Sequence, residues 1–522
     1  MGLQRTLARN TSFNILGRCL EALLGLVLIR YMWARITPAE YGLWSLIGAF
    51  TGYVALLDFG VGSAYAKFIA GHAAKDDNDA VSRVVTTGLL FYLGLSAVLL
   101  AITWPLIPRA LSFGMDHGWF TLSDPGEIIR LLRWTVALYA LSTCIGPFSA
   151  VQSGLQRMDI VNILGFGSSI VRLIATVVFL EMGLALQGLI YASLTTLLVF
   201  GIVSAWSSKR LLPSLRVSPR YIDRATFASL FSFGWRTQVA RLSNLIMFET
   251  DKIVVGVLFG RLDLVGRYDL GVNLANKVRQ VPALIFSALL PAAAELDAVG
   301  DDTRLRALYL RSTKYVAVTT IPLLLFTVAT ADLLMRVWMG EGFEQAAWVL
   351  RIIALGYIAN ILPGAGVSIA LGKGRADLQM NAGLISMGVN IALTVGLYLL
   401  IGFWGIPIAT SVSMLVSTAW FFWAVESEIG LGKRRLVREA FLWPSVATAP
   451  GFVLCVVIDQ AAIVHASFWS AAAALLVAGT AFSALFLLVL RATPFLDAVD
   501  RDFLARTLRL KHVPGYRWWA GE

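Results

Sequence analysis

The chain has 522 residues, of which 58% are hydrophobic and 14% are charged, and its mean hydropathy is +0.74. These values exclude one or two ordinary soluble domains and are typical of an integral membrane protein. A net charge of +11 would also suit a nucleic-acid-binding protein, but the positions of the basic residues along the chain argue against that function.

Apolar stretches long enough to cross a bilayer recur along the whole chain. Crossing takes roughly 20 mostly apolar residues as a helix, and we expect about fourteen such helices joined mostly by short polar turns. They are expected to begin near Phe13, Leu43, Val85, Leu132, Ile160, Leu184, Leu230, Val265, Tyr315, Trp348, Leu378, Phe403, Phe441 and Phe468. The start MGLQRTLARN leads directly into a full-length span, so we expect no cleavable signal peptide.

Lysine and arginine concentrate in alternate loops. If both termini are cytoplasmic, the even-numbered loops and the tails hold about 26 of the 43 basic residues, against about 7 in the odd-numbered loops. The main basic runs are 209–224, 304–314, 433–438 and 501–511. We therefore expect cytoplasmic termini, with these runs beside anionic lipid and not bound to nucleic acid. The three cysteines, Cys19, Cys144 and Cys455, lie in apolar segments and predict neither a disulfide framework nor a metal site.

The sequence contains an internal repeat. YGLWSLIGAF (41–50) resembles YDLGVNLANK (268–277), and GLQRMDIVN (154–162) resembles LGKGRADLQMN (371–381). Six spans followed by six similar spans have the same orientation, which predicts two lobes related by a pseudo-twofold axis along the membrane normal. We expect an N-terminal lobe at 1–220, a C-terminal lobe at 221–432, two additional transmembrane helices at 433–491 and a cytoplasmic amphipathic tail at 492–522.

Polar residues fall on single faces of several predicted helices. A charge at bilayer depth costs on the order of 3 kcal/mol, so such a face predicts contact with water, a ligand or another charge. In the seventh span, Arg236, Arg241, Asn244 and Asp251 fall within roughly 160° of arc. The eighth span carries a stripe at positions i, i+3, i+4 and i+7, with an arginine beside it: Asn273, Asn276, Lys277, Gln280 and Arg279.

The remaining members of these polar faces lie on other spans. They are Asn14, Arg18 and Glu21 on the first span, Asp58 on the second, Gln152 on the fourth, and Arg172 and Asn390 at equivalent places in the two halves. Together the faces predict a central hydrated cavity, and the surplus of cations over acids favours an anionic substrate. A structural alternative stays open, in which Glu21 neutralises Arg18 and Asp251 neutralises Lys252 or Lys277.

Three stretches resemble the polysaccharide flippases of the multidrug/oligosaccharidyl-lipid/polysaccharide exporter superfamily. They are RNTSFNILGR (9–18), YGLWSLIGAFTGYVALLDFGVGSAYAKFIAG (41–71) and FETDKIVVGVLFGRLDLVGRYDL (248–270), within a resemblance that covers roughly residues 10 to 430. The resemblance implies an all-α integral membrane protein with two six-helix lobes in a V, alternating between inward-open and outward-open states. With the two extra C-terminal helices, about 14 transmembrane helices are expected.

The same resemblance implies a function. A flippase of this kind moves undecaprenyl-pyrophosphate-linked oligosaccharides across the bacterial inner membrane and is neither an enzyme nor dependent on a cofactor or metal. Pyrophosphate and glycan would bind at Asn14, Arg18, Gln152, Arg172, Arg236, Arg241, Asn244, Asn273, Asn276, Lys277, Arg279, Gln280 and Asn390. Candidates for a coupling H⁺ or Na⁺ are Glu21, Asp58, Glu249 and Asp251. Further partners would be membrane lipid and polysaccharide-assembly proteins docked on the tail.

Three other functions are alternatives. The two extra helices are closer to the peptidoglycan lipid II flippases of the superfamily. A multidrug or cation antiporter would be expected to have an acidic, aromatic-lined cavity, whereas the surplus here is basic. A membrane enzyme would need acid, base or metal-binding residues on a sizeable loop, and none is evident. GKGR (372–375) lacks the full phosphate-loop motif and predicts a tight cytoplasmic turn instead.

Overall fold

A computed structural model describes residues 2–117, 124–283, 286, 289–461, 467–495 and 497. Within these ranges the side chains of residues 2–16, 18–19, 63, 233–241, 243–244, 247 and 291 are not described. Every regular element in the described ranges is helical, which confirms the expected all-α class. The chain divides into two compact units, Met1–Asp269 and Leu270–Glu522. The lobe boundary near residue 220, inferred from the repeat, stays a prediction.

Nineteen α-helices follow one another along the described residues. The first nine are α1 Gly2–Arg35, α2 Pro38–Val54, α3 Val61–Ala73, α4 Asn78–Asp116, α5 Pro125–Gly154, α6 Met158–Glu181, α7 Ala185–Leu211, α8 Arg224–Phe259 and α9 Leu262–Ala283. The others are α10 Leu289–Ala298, α11 Asp302–Ala329, α12 Ala331–Met339, α13 Glu344–Ile361, α14 Gly364–Gly372, α15 Ala376–Ile401, α16 Gly405–Ile429, α17 Lys433–Leu436, α18 Trp443–Gln460 and α19 Phe468–Ala492. A π-helical turn, Val437–Leu442, joins α17 to α18.

Nine helical stretches in the described residues are long and apolar enough to cross a membrane. One of them, Ala376–Ile429, contains both α15 and α16. The other predicted spans are also helical, but they carry more charge, as in α1, α8 and α9, or are interrupted, as in α2 and α3. Within the described part, these helices together fit the expectation of about fourteen crossings.

Polar caps set several helix starts. Thr37 and Glu40 form a capping box at α2, in which the Thr37 hydroxyl accepts from the Glu40 amide and the Glu40 carboxylate accepts from the Thr37 amide. Pro38 occupies the first turn, where its missing N–H costs nothing. At the other end of a helix, Gly260 closes α8 with φ of 60°, a conformation that glycine adopts without strain.

The second predicted span is broken in its middle. A 3-10 turn, Ala55–Asp58, ends α2, and Phe59 and Gly60 then take φ values of 51° and 71° before α3 begins. The Asp58 carboxylate is 9% exposed and accepts a 2.6 Å hydrogen bond from the Gly60 amide. Asp58 therefore stabilises the break between two helices.

The predicted repeat has a local counterpart in the loops before α6 and α15. Arg157 donates to Asp159 over 3.0 Å and 2.8 Å, and Arg375 donates to Asp377 over 2.9 Å at both nitrogens. In each loop, the arginine hydrogen bonds lower the pKa of the aspartate two residues later. Gly374 has φ of 76°, which confirms GKGR as a tight turn.

The last two long helices pack on the second unit. Cys455 of α18 and Phe482 of α19 form a cluster with Ala329 of α11, and Leu333 of α12 packs against Ala471 of α19. Phe495, just beyond α19, is buried beside Ala447 and Leu490. The rest of the predicted amphipathic tail lies outside the described residues apart from Asp497.

One buried carboxylate joins α18 to the helices before it. Asp459, 3% exposed, accepts a 2.9 Å hydrogen bond from the Leu333 amide in the first turn of α12. Its other oxygen accepts from Arg351 of α13 over 2.8 Å, and Arg351 also donates to Asp332 over 2.8 Å. Asp459 thus caps a helix that lies 126 residues earlier in the chain.

Candidate ligand-binding cavity

The first unit contains a cavity of about 640 Å³. Five helices line it: α1, α2, α5, α6 and α7. Nine lining residues carry hydroxyl groups: Thr51, Thr135, Tyr139, Ser142, Ser168, Ser169, Thr176, Ser193 and Thr196. Aliphatic side chains and two further aromatic ones, Trp44 and Phe200, complete the wall. The volume lies within the range of small-molecule pockets, about 300–1,000 Å³.

Arg172 is the one cationic or acidic side chain among the described residues that line this cavity. It belongs to α6 and is exposed. Its guanidinium makes no ion pair or hydrogen bond with a described residue. An arginine inside an apolar span is costly unless water or an anion accepts its five N–H groups. The cavity is therefore hydrated or occupied by an anionic group next to Arg172.

Most hydroxyl groups in the wall use their proton within their own helix. Seven donate to a carbonyl oxygen three or four residues earlier, over 2.7–3.1 Å: Thr51, Thr135, Ser142, Ser168, Ser169, Ser193 and Thr196. Each of these oxygens keeps a lone pair for another partner. The wall consequently offers hydrogen-bond acceptors, while Arg172 offers donors.

The two halves of the chain differ at equivalent positions. Ser168, Arg172 and Thr176 stand at i, i+4 and i+8 on α6, and Ser386, Asn390 and Thr394 stand 218 residues later on α15. The three α15 residues are 3%, 2% and 7% exposed. The Asn390 amide donates to the Thr410 hydroxyl over 2.9 Å. The α15 face is thus packed, whereas the α6 face lines an opening.

Gln152, another predicted binding residue, is also a packing residue in the structure. It is 1% exposed, and its amide nitrogen lies 2.7 Å from the Ser207 hydroxyl and 3.1 Å from the Ser204 hydroxyl. These contacts join α5 to α7. Gln152 and Asn390 therefore satisfy each other's kind of role in separate halves, holding neighbouring helices together, and neither lines the cavity described here.

The polar stripe predicted on α9 is partly engaged with α13. Tyr357 donates to Asn276 over 2.9 Å, and Arg279 donates to Asn360 over 2.9 Å while its guanidinium lies 5.0 Å from the Tyr357 ring centre. Lys277 is half-buried and makes no ion pair or hydrogen bond with a described residue. The other two members of the stripe are Asn273, which is half-buried, and Gln280, which is exposed.

Five predicted binding residues cannot be placed by their side chains. Asn14 and Arg18 lie on α1, and Arg236, Arg241 and Asn244 lie on α8, but their side chains are outside the described part. Whether they share a site with Lys277 stays a prediction.

The acidic candidates for ion coupling mostly have partners. Glu249 lies 3.0 Å from the Lys252 ammonium, and Asp251 accepts a 2.6 Å hydrogen bond from Tyr268. Asp58 caps the break between α2 and α3, as described above. Glu21 lies against α6, where a β-carbon on Gly165 would come within 2.6 Å of its carboxylate.

A buried ion cluster in the first unit was not predicted. Lys252 of α8 lies 2.8 Å from the Asp269 carboxylate of α9, and Tyr41 of α2 donates to the other Asp269 oxygen over 2.8 Å. Asp269 is 4% exposed. Since Tyr41 and Asp269 are 228 residues apart, no local pattern links them. The hydroxyl-rich wall was also missed, although the Ser168, Arg172 and Thr176 spacing could have revealed one helix of it.

Comparison with known families gives two matches. A family model described as "Polysaccharide biosynthesis protein" matches residues 7–297, and one described as "Lipid II flippase MurJ" matches residues 271–480. The "Putative O-antigen transporter" of Shigella flexneri is 25% identical over 382 residues, which cover 71% of this chain and 86% of that protein.

Two solved structures resemble the chain in three dimensions. "Lipid II flippase MurJ, inward closed conformation" has a TM-score of 0.65 at 14% identity and covers 92% of this chain and 98% of its own. The "Inward-facing conformation of a multidrug resistance MATE family transporter of the MOP superfamily" has a TM-score of 0.62 at 15% identity, covering 78% and 94%. At such identities, these likenesses show a common fold.

Proposed function

The chain belongs to the polysaccharide biosynthesis protein family, and from that membership we propose that it moves undecaprenyl-pyrophosphate-linked oligosaccharide repeat units across the bacterial inner membrane. Transport runs from the cytoplasmic to the outer leaflet by alternating access. The helices and the relatives indicate a multi-pass transporter and not a catalytic enzyme. The substrate's lipid tail stays in the bilayer while the polar head group crosses inside the protein.

The observation that carries the proposal is the cavity around Arg172. A cation with no described partner, surrounded by hydroxyl oxygens inside a bundle of apolar helices, suits a polar, negatively charged head group. The name of the Shigella flexneri relative agrees with a glycan as cargo. A cavity lined by Arg172 and no acidic residue, within the described part, is a poor site for a cationic drug.

We assign the pyrophosphate to a second group of cations, predicted from helix faces: Arg18, Arg236, Arg241, Lys277 and Arg279. Of these, Lys277 is half-buried and without a described partner, so its ammonium is available to a phosphate oxygen. Arg279 is held by Asn360 and presents its remaining N–H groups from a fixed position. For the coupling H⁺ or Na⁺, Glu21 is the first candidate, because Asp58, Glu249 and Asp251 already have donors.

Changing Lys277 tests the proposed function. In the strain that carries this protein, deleting the gene should abolish the surface glycan and leave lipid-linked repeat units facing the cytoplasm. Lys277→Ala should lower export roughly 10- to 100-fold, because a hydrogen bond to a charged group contributes about 1.5–3 kcal/mol. Lys277→Arg should retain most export. Surface glycan is quantified by gel and immunoblot, with protein level measured in parallel.

Lys433→Ala is the matched control for Lys277→Ala, since Lys433 is exposed at the start of α17. It should export normally. Normal surface glycan in the gene deletion would refute the proposed function. Normal export by Lys277→Ala at normal protein level would instead remove Lys277 from the pyrophosphate site.

The second candidate is a peptidoglycan lipid II flippase, which the match over residues 271–480 and the fold similarity favour. The polysaccharide biosynthesis match is longer, and it includes the cavity around Arg172. Rescue of growth in cells depleted of their own lipid II flippase would favour this second candidate. Restored surface glycan in the matching deletion strain would favour the first.

Cysteine labelling tests the proposed orientation, with both termini in the cytoplasm. Cysteines at Asp76 and Ser214 should be protected from an impermeant thiol reagent in intact cells, because their loops would face the cytoplasm. Cysteines at Gly183 and Glu341, in loops on the opposite side, should react. All four should react after permeabilisation. Labelling of the first pair and protection of the second would reverse the orientation.

A further inference from the structure

We propose that the cavity of the first unit is a subsite for a sugar that carries one carboxylate, such as a hexuronic acid, and not for the pyrophosphate. This inference rests on the proposed function and specifies the cargo. It concerns the glycan part of the head group, and it separates Arg172 from the cations assigned to the pyrophosphate. Three features of the cavity support it: its charge, its hydrogen-bonding polarity and its occurrence in one half of the chain.

The charge of the cavity matches a single carboxylate. Arg172 contributes one positive charge, and no other lysine, arginine or histidine lines the cavity in the described residues. A planar guanidinium binds a carboxylate through two parallel N–H···O hydrogen bonds. A pyrophosphate that links two groups carries two negative charges, so one charge would remain without a counter-ion in a low-dielectric site. The charge count thus favours the sugar acid.

The hydrogen-bonding polarity of the wall matches sugar hydroxyl groups. Seven wall hydroxyls, Ser168 and Ser193 among them, already donate to their own helix and present lone pairs to the cavity. Sugar hydroxyl groups can donate to these acceptors. Ionised phosphate oxygens only accept, so the same wall would oppose them. Arg172 is then the donor available to the carboxylate, and the surrounding oxygens select the rest of the ring.

The wall also offers aromatic faces suited to a sugar ring. Trp44 on α2 and Tyr139 on α5 line the same cavity as Arg172. The flat face of an aromatic side chain packs against the C–H groups of a sugar and leaves its polar rim accessible. A site with one cation, several acceptors and two aromatic residues therefore fits an acidic sugar better than a bare anion.

The second half of the chain has no equivalent opening at the matching face. Asn390 takes the position of Arg172, is 2% exposed and donates to Thr410. Ser386 and Thr394 are buried on the same face. The repeat therefore supplies this subsite once, and the expected stoichiometry is one acidic sugar per chain.

Ligand binding to the purified full-length protein tests the proposal. We would measure saturation-transfer NMR and titration calorimetry in lipid nanodiscs with four probes: D-glucuronate, its neutral isostere D-glucuronamide, D-glucose and inorganic pyrophosphate. Glucuronate should bind saturably at one site per chain. Glucuronamide and glucose should bind at least about tenfold more weakly, since a hydrogen bond to a charged group contributes about 1.5–3 kcal/mol.

Variants then assign the binding to Arg172. Arg172→Ala should remove the preference for glucuronate over glucuronamide, and Arg172→Lys should retain part of it. Arg133→Lys is the matched control for Arg172→Lys, because Arg133 lies on α5, donates to the Trp104 carbonyl and does not line the cavity. If Arg172→Ala fails to fold, Arg172→Gln replaces it. The isostere comparison on the unchanged protein needs no variant.

Each result decides the proposal. No saturable glucuronate binding, equal affinity for glucose, or pyrophosphate binding lost in Arg172→Ala would overturn it. Pyrophosphate binding that persists in Arg172→Ala and is lost in Lys277→Ala would support the separation of the two sites. Binding in nanodiscs requires no transport, so its failure is distinguishable from failure of the export assay in the deletion strain.

Discussion

Asp269→Asn should lower the free energy of unfolding by about 3 kcal/mol, because it removes the charge that neutralises Lys252 in the interior of the first unit. The two groups are 2.8 Å apart, and their side chains are 11% and 5% exposed. Breaking a buried ion pair by removing one partner typically costs 3–5 kcal/mol. We expect the lower end because Glu249, 3.0 Å from the Lys252 ammonium, remains. Chemical unfolding in mixed micelles, followed by fluorescence, measures the loss.

Asp263→Asn is the matched control on the same helix. Asp263 pairs with Arg261, whose side chain is 63% exposed, so its loss should cost less than about 1 kcal/mol. A second variant tests the cause. Lys252→Met combined with Asp269→Asn removes both charges but keeps an acceptor for Tyr41, and it should be more stable than Asp269→Asn alone. A double variant no more stable than the single one would contradict a role for the buried charge.

Gly42→Ala should destabilise the first unit by about 3 kcal/mol, the upper end for overpacking. A β-carbon on Gly42 would lie 1.8 Å from the Leu262 carbonyl oxygen and 2.7 Å from its carbon. Both are backbone atoms at the start of α9, so no side-chain rotation can relieve the overlap. The start of α2 would have to move away from α9, disturbing the neighbouring contact between Tyr41 and Asp269.

Gly48→Ala, on the same helix, is the matched control for Gly42→Ala. A β-carbon there meets no atom within 4 Å, and alanine favours a helix over glycine by about 1 kcal/mol. The Gly48 variant should therefore unfold at the same or a higher denaturant concentration than the unchanged protein. Equal stability of the two variants would mean that α2 and α9 do not approach as closely as described.

Periodicity predicted the class of fold, because a period of 3.6 residues and the length of each apolar stretch are local properties of a chain. The α9 stripe of Asn276, Lys277 and Arg279 was also found in this way. Its bonding to Tyr357 and Asn360 was not, because those residues are 81 positions away in each case. The same reason hid Asp269 and Tyr41 from the sequence.

The repeat predicted that Arg172 and Asn390 occupy equivalent places, and it could not predict that their surroundings differ. Whether a helix face lines an opening or a packed contact depends on the volumes of side chains from several helices. Asp58 shows a related limit. Its sequence position indicated a charge in a span, but the left-handed residues Phe59 and Gly60 that make it a capping group depend on the turn.

The contact made by Asp459 bears on how such a chain can change in length over evolution. Its carboxylate caps the first turn of α12 and shares Arg351 with Asp332. A gene shortened after residue 432 would encode an α12 with an unsatisfied amide at its start and an Arg351 with one acidic partner fewer. The two C-terminal helices, once acquired, are thus entrenched: losing them again requires compensating substitutions in helices more than a hundred residues away.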